Sequence, residues 1–177
     1  MTPPLDLQLL RVVNQAGSPI FDHVMAAASN RGLLLVIAVL GALYLGVRSP
    51  HRWVAAVLLL AAIGAADLVA VRAVKPAVER VRPCRSLASV RAPLGCGSGQ
   101  SFPSAHAADT AAATVIVTWA APMLAPAAFL ITAVVGVSRV YLGVHYPSDV
   151  VAGWIIGAAV GAVLIAIARL RYAVRVR

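Results

Sequence analysis

The chain has 177 residues, of which 61% are hydrophobic and 12% are charged, and its mean hydropathy is +0.89. This composition excludes an average water-soluble domain and indicates a protein whose main solvent is the lipid bilayer. The formal net charge of +9 would fit nucleic-acid binding. However, the basic residues lie mostly between or after the apolar segments without interleaved aromatic residues, so we predict no nucleic-acid partner.

The chain has no polar linker and no internal repeat at the periods typical of solenoids. Its length is close to that of one ordinary domain, so we predict a single membrane-embedded domain over residues 1–177. The first residues do not resemble a cleavable signal peptide, and we therefore expect the spans themselves to direct insertion.

The first predicted element is a short amphipathic helix near the N-terminus. Its apolar residues are Leu5, Leu9, Val12 and Val13, with polar residues between them. This pattern is typical of a helix that lies on a membrane surface, and a frayed terminus is the alternative interpretation. Turn-forming residues at 17–19 end this segment, and the mildly apolar stretch 20–30 is expected to lead into the first span.

Five apolar stretches follow that could cross a membrane. They cover residues 33–47, 53–71, two segments within 110–138 that are divided at Pro122 and Pro126, and 150–168. A hydrocarbon core about 30 Å thick needs about 20 helical residues, so the first stretch must extend at its N-terminal side. We predict an all-α, polytopic membrane helix bundle of about five transmembrane helices plus the N-terminal interfacial helix.

The basic C-terminal tail sets the expected orientation. It contains Arg169, Arg171, Arg175 and Arg177. Such a cluster after the last span is typical of a cytoplasmic end. An odd number of spans then places the polar loops 72–103 and 139–149 together on the extracytoplasmic face of the inner cell membrane. The basic residues of loop 72–103 oppose this orientation, but they have another explanation in the chemistry below.

The two cysteines, Cys84 and Cys96, both lie in loop 72–103. A disulfide forms if this loop faces an oxidising compartment, and two free thiols are the alternative. Neither cysteine has the spacing of a zinc site, and the chain lacks the additional cysteine or histidine ligands that such a site needs. We therefore predict no structural metal.

Three groups of polar residues lie at the ends of predicted helices and together indicate a phosphate site. They are Lys75 with Arg82, then Ser104, Ala105 and His106, then Arg139, His145 and Asp149. The cations Lys75, Arg82 and Arg139 suit a tetrahedral oxyanion, and the two guanidinium groups can bind it through paired hydrogen bonds. The amides of residues 104–106 are predicted to open a helix whose free N–H groups and dipole also favour an anion, with the Ser104 hydroxyl beside them.

The two histidines suggest two roles in phosphoryl transfer. Asp149 follows His145 by one helical turn, so its carboxylate can fix the imidazole tautomer and make His145 a directed nucleophile. His106, beside the anion site, can protonate the leaving oxygen and then activate water. Because this reaction mainly requires positioning and charge stabilisation, fixed cations and amides can replace a metal, and we predict no cofactor.

These residues resemble the type 2 phosphatidic acid phosphatase family, whose motifs are K-x6-R-P, P-S-G-H and S-R-x5-H-x3-D. The chain contains KPAVERVRP, PSAH and SRVYLGVHYPSD in the same order. The resemblance covers roughly residues 67–161, and the five-span plan looks like that of the smaller bacterial members.

The resemblance implies that His145 forms a phosphohistidine, that Asp149 orients it and that His106 is the acid and base. It also implies that Lys75, Arg82, Ser104 and Arg139 hold phosphate. Ala105 stands where the family more often has glycine, so its methyl group narrows the approach to the backbone, although its N–H remains.

The expected function is hydrolysis of a lipid phosphate or pyrophosphate by a metal-independent membrane enzyme. Undecaprenyl pyrophosphate is the favoured substrate on family grounds, and phosphatidylglycerol phosphate, phosphatidic acid and a lipid A phosphate are the others. A lipid phosphotransferase is the first alternative, in which another acceptor replaces water. The second is a non-enzymatic lipid-phosphate binder or transporter, although its ionisable groups would be expected along a path through the bilayer.

Two further features have structural interpretations. Asp67 and Asp109 lie in apolar segments, and we expect each to form an ion pair with a loop arginine. Gly153, Gly157 and Gly161 form a small-residue ridge on one helix face. Such a ridge indicates either a homodimer contact or, more commonly, close packing inside the same bundle.

Overall fold

A computed structural model describes residues 3–175, and every regular element within them is helical. Arg177, which belongs to the basic tail, lies outside the described residues. The helices are α1 (Pro4–Gln15), α2 (Pro19–Ala28), α3 (Arg31–Arg48), α4 (Arg52–Leu68), α5 (Lys75–Val78), α6 (Pro83–Ser86), α7 (Ala105–Ala120), α8 (Ala125–Tyr141) and α9 (Pro147–Arg175). A π-helical segment, Val69–Val74, joins α4 to α5, and a 3-10 turn, Pro122–Leu124, precedes α8.

Four segments of residues 3–175 are long and apolar enough to cross a membrane. They are Arg31–Arg48, Arg52–Ser86, Pro122–Tyr141 and Pro147–Arg171. Helix α7 has 16 residues, a length of about 24 Å at 1.5 Å per residue, and packs against α4, α8 and α9. The all-α polytopic membrane bundle predicted from the sequence is confirmed, with α7 as its short central helix.

Small residues allow α7 and its neighbours to approach closely. Ala108 and Ala112 of α7 are fully buried. A Cβ atom added to Gly157 of α9 would lie 2.0 Å from the carbonyl oxygen of Ala108, and one added to Gly153 would lie 2.4 Å from that of Ser104. The glycine ridge therefore packs against α7 of the same chain and is not free to form a dimer contact.

Helix α1 buries two polar side chains and exposes several apolar ones. Its buried residues are Asp6, Leu10 and Asn14, which follow one another at intervals of one turn. Leu5 and Val12, in contrast, are 62% and 71% exposed. Leu10 is buried beside the two polar residues, and Gln8 and Arg11 are exposed beside Leu5 and Val12. Helix α1 is therefore an ordered helix whose outer face mixes apolar and polar side chains, as expected at a membrane interface rather than of a frayed terminus.

The stretch 20–30 does not continue into the first span as expected. It forms the separate helix α2, whose N-terminus is capped by the Ser18 side chain and whose last residue is Ala28. Helix α3 then begins after Asn30, whose side chain accepts a hydrogen bond from the Leu33 N–H. These two capping side chains define separate helix starts, and this explains the break.

The two acidic residues in apolar segments have different surroundings. Asp67 lies 3.8 Å from Arg31, the first residue of α3, which gives it a long ion pair. Asp109 is different, because its Oδ1 is buried and has no hydrogen-bond partner within residues 3–175. The ion pair expected for Asp109 is therefore absent from the described part of the chain.

Replacement of Gly157 by alanine is expected to destabilise the bundle. The new methyl group would meet the Ala108 carbonyl at 2.0 Å, so α7 and α9 would have to separate. Overpacking of this kind costs about 1–3 kcal/mol, and we expect a lower thermal unfolding temperature in detergent. Gly64→Ala is the matched control, because a Cβ atom at Gly64 meets nothing within 4 Å. Equal unfolding temperatures for the two variants would contradict the close α7–α9 contact.

Candidate active site

The three predicted groups of polar residues meet at one end of the bundle. Lys75, at the start of α5, donates to the Pro103 carbonyl at 2.9 Å, which joins α5 to the N-terminus of α7. The Ser104 N–H donates to the Asp149 carbonyl at 2.9 Å, which joins α7 to α9. The His145 N–H donates to the Arg139 carbonyl at 3.3 Å, which connects the loop to α8. The chain thus brings all three groups together.

His145 is buried beside Asp149. Its ring is 3% exposed, and its Nδ1 lies 3.5 Å from Asp149 Oδ2, at the outer limit of a hydrogen bond. Within residues 3–175, Nδ1 has no hydrogen-bond partner, and the Asp149 carboxylate is the charged group that faces it. Asp149 is therefore the group placed to hold a hydrogen on Nδ1, which would leave the lone pair on Nε2.

Burial lowers the pKa of His145 to about 4, below its ordinary value of 6.5. The nearby Asp149 carboxylate opposes this shift in pKa, whereas the positive charge of Arg139 adds to it. His145 is therefore neutral at neutral pH. This is the protonation state that a histidine nucleophile requires.

The Asp149 carboxylate is fully buried and held by several donors. Its Oδ2 accepts hydrogen bonds from the Ser101 hydroxyl and, at 2.9 Å, from the Tyr146 N–H. Its Oδ1 accepts from the Arg80 guanidinium at 2.6 Å. A buried carboxylate must be compensated in this way to remain charged. The donors also fix the direction in which Asp149 faces His145.

Lys75 and Arg82 contact backbone carbonyls. Lys75 Nζ donates to the carbonyls of Gln100 and Pro103, each at 2.9 Å. Arg82 donates to the carbonyls of Gly99 and Val144, each at 3.2 Å. In this structure the two cations therefore hold the loops that precede α7 and α9. Their predicted binding of phosphate stays a prediction.

Arg139 has a different environment. Its Nε is buried and has no hydrogen-bond partner within residues 3–175. A buried donor without a partner costs about 1–3 kcal/mol. The site can regain this energy when an anion binds beside His145. Of the three predicted cations, Arg139 is therefore the one with a buried N–H donor, on Nε, that is available to an anion.

The N-terminus of α7 offers fewer amides than the sequence indicated. Ser104 is fully buried; its hydroxyl caps the helix by accepting from the Ala107 N–H at 3.5 Å. Its own N–H is used by Asp149, which leaves the amides of Ala105 and His106 in the first turn without intrahelical partners. Ala105 is 4% exposed, so its methyl group is part of the packed core.

His106 is oriented by the junction between α2 and α3. Its Nε2 lies 3.1 Å from the Ser29 carbonyl. Because a carbonyl only accepts, Nε2 carries the hydrogen in this contact and Nδ1 is the ring nitrogen left for proton transfer. Ser29 also contacts the Ser138 hydroxyl at 2.5 Å, so the segment before α3 contributes to the site. No local pattern in the sequence indicates this contribution.

Arg80 is a further site residue that the sequence analysis did not identify. It occupies one of the variable positions between Lys75 and Arg82, where one arginine among several basic residues gives no separate signal. The structure places its guanidinium on Asp149 and on Asp6 of α1. Ser101 was missed for the same reason, because one serine in a loop of small polar residues is not distinctive.

Cys84 and Cys96 form a disulfide, with their Cα atoms 5.7 Å apart. This bond selects the first of the two states that the sequence left open. It ties α6 to the glycine-rich loop before α7, whose Gly99 carbonyl contacts Arg82. Within residues 3–175, no group of three or more His, Cys, Asp or Glu residues could hold a metal ion.

Comparison with known proteins places these features in a family. The PAP2 superfamily model matches residues 53–173. Decaprenylphosphoryl-5-phosphoribose phosphatase of Mycobacterium tuberculosis is 37% identical over 158 residues, which cover 83% of each chain. Lipid A 4'-phosphatase of Bacteroides thetaiotaomicron is 31% identical over 168 residues, which cover 86% of this chain and 72% of that protein.

The fold is also similar to a solved structure. The crystal structure of the transmembrane PAP2-type phosphatidylglycerolphosphate phosphatase from Bacillus subtilis superposes with a TM-score of 0.72 at 27% identity. The match covers 93% of this chain and 85% of that chain. The family model covers more than half of the chain and includes Lys75, Arg139, His145 and Asp149. The chain therefore belongs to the PAP2 superfamily and is a membrane-embedded lipid phosphatase.

Proposed function

We propose that this lipid phosphatase hydrolyses a polyprenyl-linked phosphate or pyrophosphate through a phosphohistidine on His145. The observation that carries the proposal is the buried, unpartnered Arg139 Nε next to a neutral, buried imidazole. The donor and the nucleophile belong to one site, since the His145 N–H donates to the Arg139 carbonyl and the Arg139 charge acts on the imidazole. The Ala105 and His106 amides support the same site from the start of α7.

The first step is attack of His145 Nε2 on phosphorus. The N–P bond forms as the bond from phosphorus to the leaving oxygen breaks. His106 enters this step as the imidazolium, stabilised by the bound anion, gives its Nδ1 proton to that oxygen and is left neutral with its hydrogen on Nε2. Asp149 holds the hydrogen on Nδ1 of His145 and stabilises the positive charge that develops on the ring. Arg139 and the helix-end amides stabilise the charge on the transferring phosphoryl group.

The second step is hydrolysis of the phosphohistidine. Water attacks phosphorus while His106 accepts its proton, the N–P bond breaks, and inorganic phosphate leaves. A phosphotransferase would share the first step and replace water with another acceptor. The proposed reaction needs no metal, because the charge is balanced by Arg139 together with Lys75 and Arg82 once phosphate competes with the carbonyls they contact.

The proposed substrate carries a polyprenyl chain. Undecaprenyl pyrophosphate is favoured on family grounds, and the name of the Mycobacterium tuberculosis relative refers to a decaprenyl-linked phosphoribose. Both are phosphates on a long prenyl carrier. The apolar outer face of α1, close to Asp149 through Asp6 and Arg80, provides a surface along which such a chain can reach the site from the bilayer.

We propose the extracytoplasmic face of the inner cell membrane as the location of the site. The disulfide between Cys84 and Cys96 supports this side, because such bonds persist in oxidising compartments. Arg169 and Arg171, at the end of α9 away from the site, support a cytoplasmic opposite end.

Phosphate release by the detergent-purified protein tests the substrate class. The lipids are undecaprenyl pyrophosphate, decaprenylphosphoryl-5-phosphoribose, phosphatidylglycerol phosphate, phosphatidic acid and a lipid A phosphate, each with a chelator present. We expect the two polyprenyl lipids to have the highest kcat/KM and His145→Ala to reduce it at least about 10³-fold.

Folded protein that releases phosphate from none of these lipids would overturn the proposal. Preference for phosphatidic acid or a lipid A phosphate would overturn only the polyprenyl assignment. A rate that falls with chelator and returns with added metal would overturn the metal-independent reaction.

Substitution of Arg139 tests the anion site itself. We expect Arg139→Ala to lower kcat/KM about 10²–10³-fold, because a buried donor to the transferring group is lost. Arg139→Lys should recover part of the rate, since it keeps the charge but not the planar fork. Arg48→Ala is the control, because Arg48 is an exposed arginine at the C-terminal end of α3. Native kcat/KM in Arg139→Ala would show that the site lies elsewhere.

A further inference from the structure

Arg80 joins two carboxylates from distant parts of the chain. Its NH1 donates to Asp149 Oδ1 at 2.6 Å, and its NH2 donates to Asp6 Oδ2 at 2.7 Å. The Arg80 side chain is 18% exposed, whereas those of Asp6 and Asp149 are 5% and 0% exposed. Arg80 thus bridges two buried carboxylates that come from opposite ends of the chain.

Asp6 also fixes the helix turn that carries Asp149. Its Oδ1 accepts from the Ser148 N–H at 2.8 Å, and its Oδ2 accepts from the Ser148 hydroxyl. Ser148 lies in the first turn of α9, where N–H groups have no intrahelical partner. Asp6 therefore caps α9 from another helix, and its negative charge lies at the favourable end of the α9 dipole.

The Arg80 guanidinium is held in place by an aromatic ring as well. It lies 3.9 Å from the centre of the Tyr146 ring, within the range of a cation–π contact. Tyr146 is bound in turn to Asp149 through its N–H, and its hydroxyl lies 3.0 Å from that of Ser86. Arg80 is thus constrained on three sides and has little freedom to turn away from Asp149.

We propose that Arg80 and Asp6 are positioning residues for the Asp149–His145 pair, so that the interfacial helix α1 is an integral part of the active site. Arg80 keeps Asp149 turned toward Nδ1 of His145, and Asp6 keeps Arg80 and the first turn of α9 in register. The inference rests on the proposed nucleophile His145 and extends it to a helix that lies outside the three sequence motifs.

The first arm of the test is steady-state kinetics with the best lipid of the panel. We expect Arg80→Gln to lower kcat about 10²-fold and to change KM by less than about threefold, since Arg80 does not contact the substrate. Arg80→Lys should recover part of kcat, because it can pair with one carboxylate but cannot bridge two. Glu79→Gln is the control, because Glu79 is the exposed neighbouring residue and should keep the native rate.

The second arm asks whether Arg80 acts through Asp149. In an Asp149→Asn background, we expect Arg80→Gln to lower kcat by less than about threefold, because the group it positions is already lost. Asp6→Asn keeps an oxygen for the Ser148 N–H but loses the ion pair, and should lower kcat by about tenfold. Multiplicative losses in the double variant, or a native kcat in Arg80→Gln, would overturn the inference.

A readout independent of turnover separates this inference from the proposed function. The ¹⁵N NMR spectrum of histidine-labelled protein reports the tautomer of His145, which is assigned by its absence in His145→Ala. We expect a single Nδ1–H tautomer in the native protein and a mixture in Arg80→Gln or, if that variant does not fold, in Asp6→Asn. An unchanged tautomer overturns the positioning role, whereas native protein that releases no phosphate overturns only the proposed function.

Discussion

The rest of the site depends on the hydrogen bonds that hold the Asp149 carboxylate. It is buried without water contact and is compensated by Arg80, Ser101 and the Tyr146 N–H. These donors come from separate segments of the chain, so a charged carboxylate is tolerated in this buried position only when those segments are assembled. The same donors set its direction toward His145. The donors that compensate the buried charge of Asp149 therefore also set its orientation.

Close helix packing supplies the frame for this interaction. Gly153 and Gly157 let α9 approach the backbone of α7, and the Ser104 N–H reaches the Asp149 carbonyl across that contact. The start of α7 and the start of α9 are thus fixed relative to each other at the site. Helix α1 turns Leu5 and Val12 outward, while its Asp6 contacts Ser148 in the first turn of α9. Packing in the bundle and order in the site are therefore coupled.

The sequence predicted the bundle and the motif residues because both follow from local patterns: apolar stretches and fixed spacings. It could not predict contacts that depend on distant segments. Arg80 meets Asp6 across 74 positions of the chain, and nothing near either residue indicates the partner. Likewise, Lys75 and Arg82 were identified as cations, but their contacts with loop carbonyls depend on how residues 97–103 fold. The predicted ion pair of Asp109 is absent from the described residues, and the neighbours of Asp109 in the sequence do not reveal that its Oδ1 is buried without a partner.

The most direct test of the account is to trap the phosphorylated intermediate. Native protein and His106→Ala, in which water attack is slowed, are mixed with lipid, quenched in alkaline denaturant and analysed by peptide mass spectrometry. We expect one phosphoryl group on His145 in the native protein and in His106→Ala, formed and hydrolysed more slowly in that variant, and none in His145→Ala. A phosphoryl group on another residue, or phosphate release without any modified residue under these conditions, would contradict it.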